Sequence, residues 1–143
     1  IARPNDKNIC AAISDVSNEV DFFEDDILGP VNTIENKMYK KSKGIFFKKG
    51  IVKKVKTFTV FDIISENTLY ETTDFLNIDA EGSDYQIISQ IDLKKSNINL
   101  VAIETHDPNG NQLDNFDNIS KYFENNQYFV HKKIGPTTLY TKK

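Results

Sequence analysis

Two short apolar runs separated by a segment of helical spacing place the strongest constraint on what this chain can fold into. Residues 75–78 read FLNI, an apolar run broken only by Asn77. Residues 100–103 read LVAI without interruption, as expected for a strand covered on both faces. Between them, Ile87, Ile88 and Ile91 recur as one helical stripe. The pattern predicts a strand–helix–strand unit, which in proteins forms a pair of parallel strands.

Further strands and helices are predicted on both sides of this unit. Strands are expected at residues 9–13, 20–23, 51–60, 128–130 and 137–140, and helices are expected to begin near Phe61 and Phe116. We expect the first two strands to close a hairpin, the strand at 51–60 to be an edge rich in lysine, and the last two to form a hairpin.

The overall prediction is one α/β domain covering residues 1–143. Its sheet is expected to be mostly parallel, with an antiparallel hairpin at the C-terminal edge. A chain of 143 residues with 38% hydrophobic and 27% charged residues is long and apolar enough for one core.

A tight loop is predicted to join the first apolar run to the helix. Ser83 at the N-cap and Gln86 three residues later have the spacing of a capping box, in which each side chain bonds a backbone N–H of the first turn. Residues 79–82 therefore form the connection.

Four ionisable side chains follow the two apolar runs. Asp79 and Glu81 come after the first run, and Glu104 and His106 come after the second. In an open α/β sheet, ligands bind outside the carboxyl ends of the strands. One acid is explained by the positive end of the helix, but four groups at one edge are not. The cluster is therefore a candidate functional site.

Two chemical roles remain open for this cluster from the residues alone. His106 beside Glu104 is suited to act as a general base, because its ordinary pKa lies near neutrality and a carboxylate can orient it. Alternatively, Asp79 and Glu104 could share a divalent cation such as Mg²⁺, which prefers hard oxygen ligands.

A lysine-rich segment lies between residues 37 and 56, where no acid occurs. Its nine lysines are Lys37, Lys40, Lys41, Lys43, Lys48, Lys49, Lys53, Lys54 and Lys56. Such a segment can attract anionic partners. The simpler interpretation is a solvated loop and edge strand kept soluble by lysine. The net charge of −3 argues against a protein built around nucleic acid.

The single cysteine, Cys10, cannot form an intramolecular disulfide. This fits a reducing compartment, and we expect a cytoplasmic protein. The longest apolar runs are too short to span a membrane, and the N-terminal residues do not have the pattern of a signal peptide.

Four segments resemble the FkbM family of class I methyltransferases, in the family's order. Residues 74–85 read DFLNIDAEGSDY, similar to a strand of the form FLKID followed by VEG and an acid on the next helix. Residues 11–15, 55–64 and 101–106 resemble the family's third strand, its next strand and short helix, and its fifth strand. Asn77 and Phe61 depart from the usual lysine and acid. The resemblance implies a Rossmann-like fold.

The resemblance also implies an activity and a set of site residues. Members transfer a methyl group from S-adenosylmethionine, usually to oxygen of a sugar, polyketide or similar metabolite. The resemblance implies cofactor contacts at Ser14 and Asp15. We expect Asp79 to contact the cofactor as well, Asp79, Glu104 and His106 to be catalytic, and Glu81 to contact the acceptor. Asp79 and Glu104 remain the candidate metal ligands.

Two parts of the family's cofactor site have no counterpart in the sequence before Ile9. These are the glycine-rich loop after the first strand and the acid that ends the second strand. We therefore expect this chain to be the C-terminal part of a longer methyltransferase domain. The alternative is a non-catalytic remnant, or a binding module that presents the lysine-rich segment to anionic partners.

Overall fold

This computed structural model describes residues 6–24, 34, 40, 51–67 and 73–142. Within these ranges the elements in chain order are β1 (Ala12–Ile13), β2 (Glu19–Glu24), β3 (Ile51–Phe58), α1 (Val60–Asn67), β4 (Phe75–Ile78), α2 (Asp84–Ile88), β5 (Leu100–Glu104), α3 (Phe116–Asn125), β6 (Tyr128–Ile134) and β7 (Thr137–Lys142). In the described part of the chain, no helix has both the length and the apolar character needed to cross a membrane.

The C-terminal sheet has the strand order β4-β5-β7-β6. Strands β4 and β5 are parallel, as the strand–helix–strand pattern predicts, and Ile78 pairs with Ile103 at their ends. Strand β7 runs antiparallel to both β5 and β6, so the predicted C-terminal hairpin is confirmed. Its inner strand is β7, because β7 and not β6 pairs with β5.

The N-terminal sheet differs from the prediction, because β3 lies between β1 and β2. Strand β1 is parallel to the end of β3, and β2 is antiparallel to the rest of it. The predicted hairpin between the first two strands is therefore wrong, and β3 is not an edge strand. Buried Thr57 explains the arrangement: its hydroxyl donates to the Val16 carbonyl at 2.7 Å and accepts from the Asn18 N–H at 3.0 Å. These bonds hold the connection between β1 and β2 against β3.

The prediction of one mostly parallel sheet is also wrong for the described residues. They form two sheets, and three of the five strand pairings within them are antiparallel. The α/β class itself is confirmed. The two residues between β6 and β7 are too few for a crossover, which explains the antiparallel pairing of these two strands.

The main core lies between the C-terminal sheet and helices α2 and α3. Its largest fully buried side chains include Tyr128, Phe123, Ile88 and Leu93. The ring of Phe123 stacks on that of Tyr140, with centroids 3.9 Å apart. Each such side chain contributes about 1.5–3 kcal/mol when it is fully buried. This packing holds both helices against the sheet and so fixes the positions of the loops that follow β4 and β5.

Candidate functional site

The loop between β4 and α2 contains two consecutive residues in left-handed backbone conformations. Glu81 has a φ of 49° and Gly82 a φ of 104°. Glycine adopts such a conformation without steric cost, whereas a side chain makes it unfavourable at Glu81. A strained residue persists only where its surroundings hold it, which is common at functional sites.

The Asp84 carboxylate holds this loop in place. It is fully buried and accepts hydrogen bonds from the backbone N–H groups of Ala80 and Gly82, both at 3.2 Å. Burial raises the pKa of Asp84 above its ordinary value, and these two bonds act in the opposite direction. The side chain therefore closes the loop from the first residue of the helix.

The predicted capping box is wrong, because the Ser83 side chain makes no cap hydrogen bond. Ser83 is buried, and the Asp84 carboxylate instead accepts hydrogen bonds from the backbone of the loop. The residue pattern contained a signal for this role, since an acid in the first turn of a helix is favourable to its positive end.

The structure brings Asp79 and Glu104 together at one edge of the sheet. Ile78 and Ile103 are direct partners in the parallel ladder, so the residues that follow them leave adjacent strands at the same level. Glu81 and Asp84 join them: the charges of Asp79 and Asp84 contribute to raising the pKa of Glu81, after burial as the main cause. The edge thus carries four interacting carboxyl groups.

Glu104 has the most perturbed carboxyl group of this cluster. Burial raises its pKa to about 7, and the charges of Glu81, Asp79 and Asp84 add to the effect in that order. A carboxyl group with this pKa exchanges its proton near neutral pH, which is the range in which a general base is most effective. Glu104 therefore has the properties of a proton acceptor.

His106 is held by a different partner from the one expected. Its Nδ1 lies 2.7 Å from the hydroxyl oxygen of Thr105, which in turn lies 2.6 Å from that of Thr138. The ring is 8% exposed and meets Phe116 edge-on. Burial, followed by the charge of Lys133, lowers the pKa of His106. The expected orientation of His106 by Glu104 is therefore replaced by a pair of threonine hydroxyls.

A cavity of about 640 Å³ lies between the two sheets. Asp79 and Glu81 line it on one side, together with apolar residues such as Leu76 and Ile87, and residues 11–13 line the other. Its size falls in the range of small-molecule sites. Asp79 and Glu81 are thus the predicted site residues that border it.

The other predicted site residues are not among those that line the cavity. Ser14 and Asp15 come directly after β1, whose residues do line it. The Ser14 N–H donates to the Phe58 carbonyl at 3.0 Å, and its hydroxyl donates to Asp15 at 3.1 Å. Glu104 stands beside Asp79 at the end of β5.

The Mg²⁺ alternative finds no support in the described side chains. Among residues 6–24, 51–67 and 73–142, with 34 and 40, no three His, Cys, Asp or Glu side chains are grouped so as to hold a metal ion. Asp79 and Glu104 would supply only two carboxylate ligands to a cation. Their arrangement is better matched to proton transfer, because the pKa of Glu104 lies near 7.

The lysines of β3 are matched by acids and an aromatic ring. Lys53 forms an ion pair with Glu24, and Lys54 pairs with Asp21 at 2.8 Å. Lys56 lies 5.1 Å from the centre of the Phe58 ring. These contacts offset the positive charge of the strand. Lys40 is exposed, and the predictions for Lys37, Lys41, Lys43, Lys48 and Lys49 fall outside the described residues.

Comparison with known proteins identifies one family. A family model described as "Methyltransferase FkbM domain" matches residues 1–130. This range includes the loops that follow β4 and β5 and the four carboxyl groups at the edge of the sheet. No curated protein and no solved structure matches the chain significantly.

Proposed function

The chain belongs to the FkbM methyltransferase domain family, and from this we propose that it transfers a methyl group from S-adenosylmethionine to a hydroxyl oxygen. The acceptor is a sugar, a polyketide or a similar small molecule or glycan. The observation that carries the oxygen acceptor is Glu104, a half-buried carboxyl group with a pKa of about 7 beside Asp79. A hydroxyl must lose its proton during the transfer, and Glu104 is suited to accept it.

The size of the cavity and the residues that line it suit part of S-adenosylmethionine. When bound, this cofactor supplies a methyl group on a positively charged sulfur. Ala12, Ile13 and Leu76 offer apolar walls to a flat ring, and Asp79 and Glu81 offer negative charge. Carboxylates stabilise a cation most strongly where water is partly excluded. Ser14 and Asp15, at the end of β1, are our candidates for contacts to the adenosine part.

The remaining roles follow from the positions of the side chains. Asp79 is exposed just after β4 and borders the cavity. Its carboxylate can therefore accept a hydrogen bond from the hydroxyl of the substrate and orient that hydroxyl. Glu81, in the same loop, provides a second carboxylate that can accept a hydrogen bond from the substrate. His106 is assigned a supporting role as a neutral hydrogen-bonding group, because its pKa is lowered. Alignment of the methyl acceptor with the donor is a main contribution that a protein makes to such a displacement.

The proposal is tested by two measurements on the natural full-length protein. Calorimetry measures binding of S-adenosylmethionine, and transfer of a labelled methyl group is followed by mass spectrometry over a panel of hydroxylated sugars and polyketides. We expect binding and transfer to oxygen. Failure to bind the cofactor, or methylation only of nitrogen or carbon, would overturn the proposal.

Variants of the same protein test the residue assignments. Asp79→Ala and His106→Ala are expected to reduce turnover, and Asp74→Ala serves as the matched control because Asp74 is an exposed acid just before β4. Unchanged turnover in both Asp79→Ala and His106→Ala would remove these residues from the site. Salt-dependent binding of nucleic acid or acidic glycans without cofactor binding would instead favour the binding-module alternative.

A further inference from the structure

A single side chain, Gln90, connects three segments that belong to different parts of the fold. Its Oε1 accepts a hydrogen bond from the backbone N–H of Val60 at 2.9 Å. Its Nε2 donates to the carbonyl oxygens of Ser14 at 3.1 Å and Gln86 at 2.7 Å. The half-buried amide thus uses its oxygen and both of its N–H groups.

These partners lie on opposite sides of the cavity between the two sheets. Ser14 follows β1, which pairs with β3 in the N-terminal sheet. Gln86 belongs to α2, whose residues pack in the core of the C-terminal sheet. The Val60 N–H is one of the groups at the start of α1 that has no partner within the helix. Gln90 therefore joins the end of β1, whose residues line one side of the cavity, to α2, the helix that follows the loop carrying Asp79 and Glu81.

We propose that Gln90 is a positioning residue that sets the width of the cavity between residues 11–13 and the loop that carries Asp79 and Glu81. This inference rests on the proposed function, because it concerns how the cofactor and acceptor sides are aligned. An amide suits the task, since it donates and accepts at the same time. A carboxylate of the same length accepts only, and it would face the Ser14 carbonyl with negative charge.

The consequence for the site is geometric. The two walls belong to separate sheets, so the backbone ladders inside each sheet do not set the distance between them. Small changes in that distance matter, because a misplacement of about 1 Å can cost a rate factor of roughly a hundred. Loss of the Gln90 bonds is therefore expected to weaken cofactor binding, which needs both walls, more than acceptor binding.

The test compares three variants of the natural full-length protein. Gln90→Glu keeps the length and the acceptor for Val60 but loses both donors, and Gln90→Met fills similar space without either. Gln127→Glu is the matched control, because Gln127 is an exposed glutamine between α3 and β6. We expect KM for S-adenosylmethionine to rise roughly tenfold or more in both Gln90 variants, which corresponds to the loss of one to two hydrogen bonds. The acceptor KM and the control should be nearly unchanged.

The outcomes separate this inference from the proposed function. An active wild type whose cofactor KM is unchanged in both Gln90 variants overturns the positioning role, even if thermal unfolding shows that they are less stable. Equal increases in the KM of cofactor and acceptor also overturn it, because they indicate a general loss of structure. A wild type that neither binds nor uses S-adenosylmethionine overturns the proposed function itself.

Discussion

Ile78 and Ile103 are direct partners in the parallel strands β4 and β5, so Asp79, just after β4, and Glu104, the last residue of β5, lie side by side at the edge of the sheet. Two carboxylates at adjacent positions repel each other, and Glu81 and Asp84 add to this negative charge. The fold thus places an acid with a pKa of about 7 beside Asp79, which borders the cavity.

Glu104→Gln is expected to lower turnover by roughly a hundredfold or more, as for loss of a general base. In the wild type, turnover should rise with pH through the Glu104 pKa of about 7, because only the ionised carboxylate accepts a proton. This rise should be absent from the residual activity of the variant. The measurement is kcat as a function of pH.

Glu124→Gln is the matched control for this experiment, since Glu124 is an exposed glutamate in α3. It should keep the wild-type profile. If the Glu104 variant retains the rise near neutral pH, the proton acceptor is another group.

Glu104→Gln is also expected to increase the stability of the protein at alkaline pH. The folded protein raises the pKa of Glu104 from its ordinary value of 4.5 to about 7, so the folded state binds this proton more tightly than the unfolded state. The stabilisation is present below the ordinary value and is lost as pH rises to about 7. Glu104→Gln should therefore unfold at higher urea concentration than the wild type at about pH 8, by on the order of 1 kcal/mol.

At about pH 4 this difference should nearly disappear, because Glu104 is then mostly protonated in both the folded and the unfolded protein. Comparing the two proteins at each pH cancels the titration of all other groups. A stability difference that is constant between these two pH values would show that Glu104 is not perturbed by the fold.

Asp84→Ala is expected to destabilise the protein by about 2 kcal/mol, because it leaves the N–H groups of Ala80 and Gly82 without their acceptor. Asp84→Asn should lose less, since its amide oxygen can still accept. Urea unfolding gives both values. Asp117→Ala is the control, as Asp117 is an exposed acid in the first turn of α3. Equal effects of Asp84→Ala and Asp117→Ala would mean that the loop is held by other contacts.

His106 is expected to be neutral at about pH 7 and to titrate below its ordinary pKa of 6.5, chiefly because the ring is buried. A lowered histidine pKa means that the folded state binds the proton less tightly, so this group's stabilisation is lost as pH falls below that value. NMR titration of the ring protons measures it. The chain has two histidines, so the spectrum of His131→Gln assigns the His106 resonance.

Substitutions at Thr105 test what orients this ring. Thr105→Ser keeps a hydroxyl near Nδ1, whereas Thr105→Val removes it at similar volume. We expect the NMR titration of His106 to be nearly unchanged in the serine variant and shifted in the valine variant. Identical titration curves in both would show that the hydroxyl does not control the tautomer.

Local patterns predicted most of the elements and the position of the site. The apolar runs at 75–78 and 100–103 became β4 and β5, and the ends of these strands meet as expected for parallel neighbours. Phe116, Ile119 and Phe123 mark α3. These predictions succeeded because strand and helix periodicity depend on neighbours within a few residues. The apolar side chains that repeat along each of these elements pack in or against the main core.

The failed predictions concern the pairing of distant strands and the partners chosen by polar side chains. The pairing of β1 with β3 joins residues 45 positions apart, as in Ala12 with Thr57, and no local pattern specifies it. The capping box failed because Asp84, and not Ser83, turned its side chain toward the loop. His106 found its partner in the adjacent Thr105, which bonds in turn to Thr138 from another strand.

The sequence by itself determined the α/β class, the family resemblance and the acids that end two strands, because these depend on residue type and local spacing. Tertiary structure alone decided the chemical state of those acids. Glu104 reaches a pKa of about 7 only when burial removes water and three further carboxyl groups approach it. The link through Gln90 was likewise decided by folding, since it joins residues 14, 60 and 86 across two sheets.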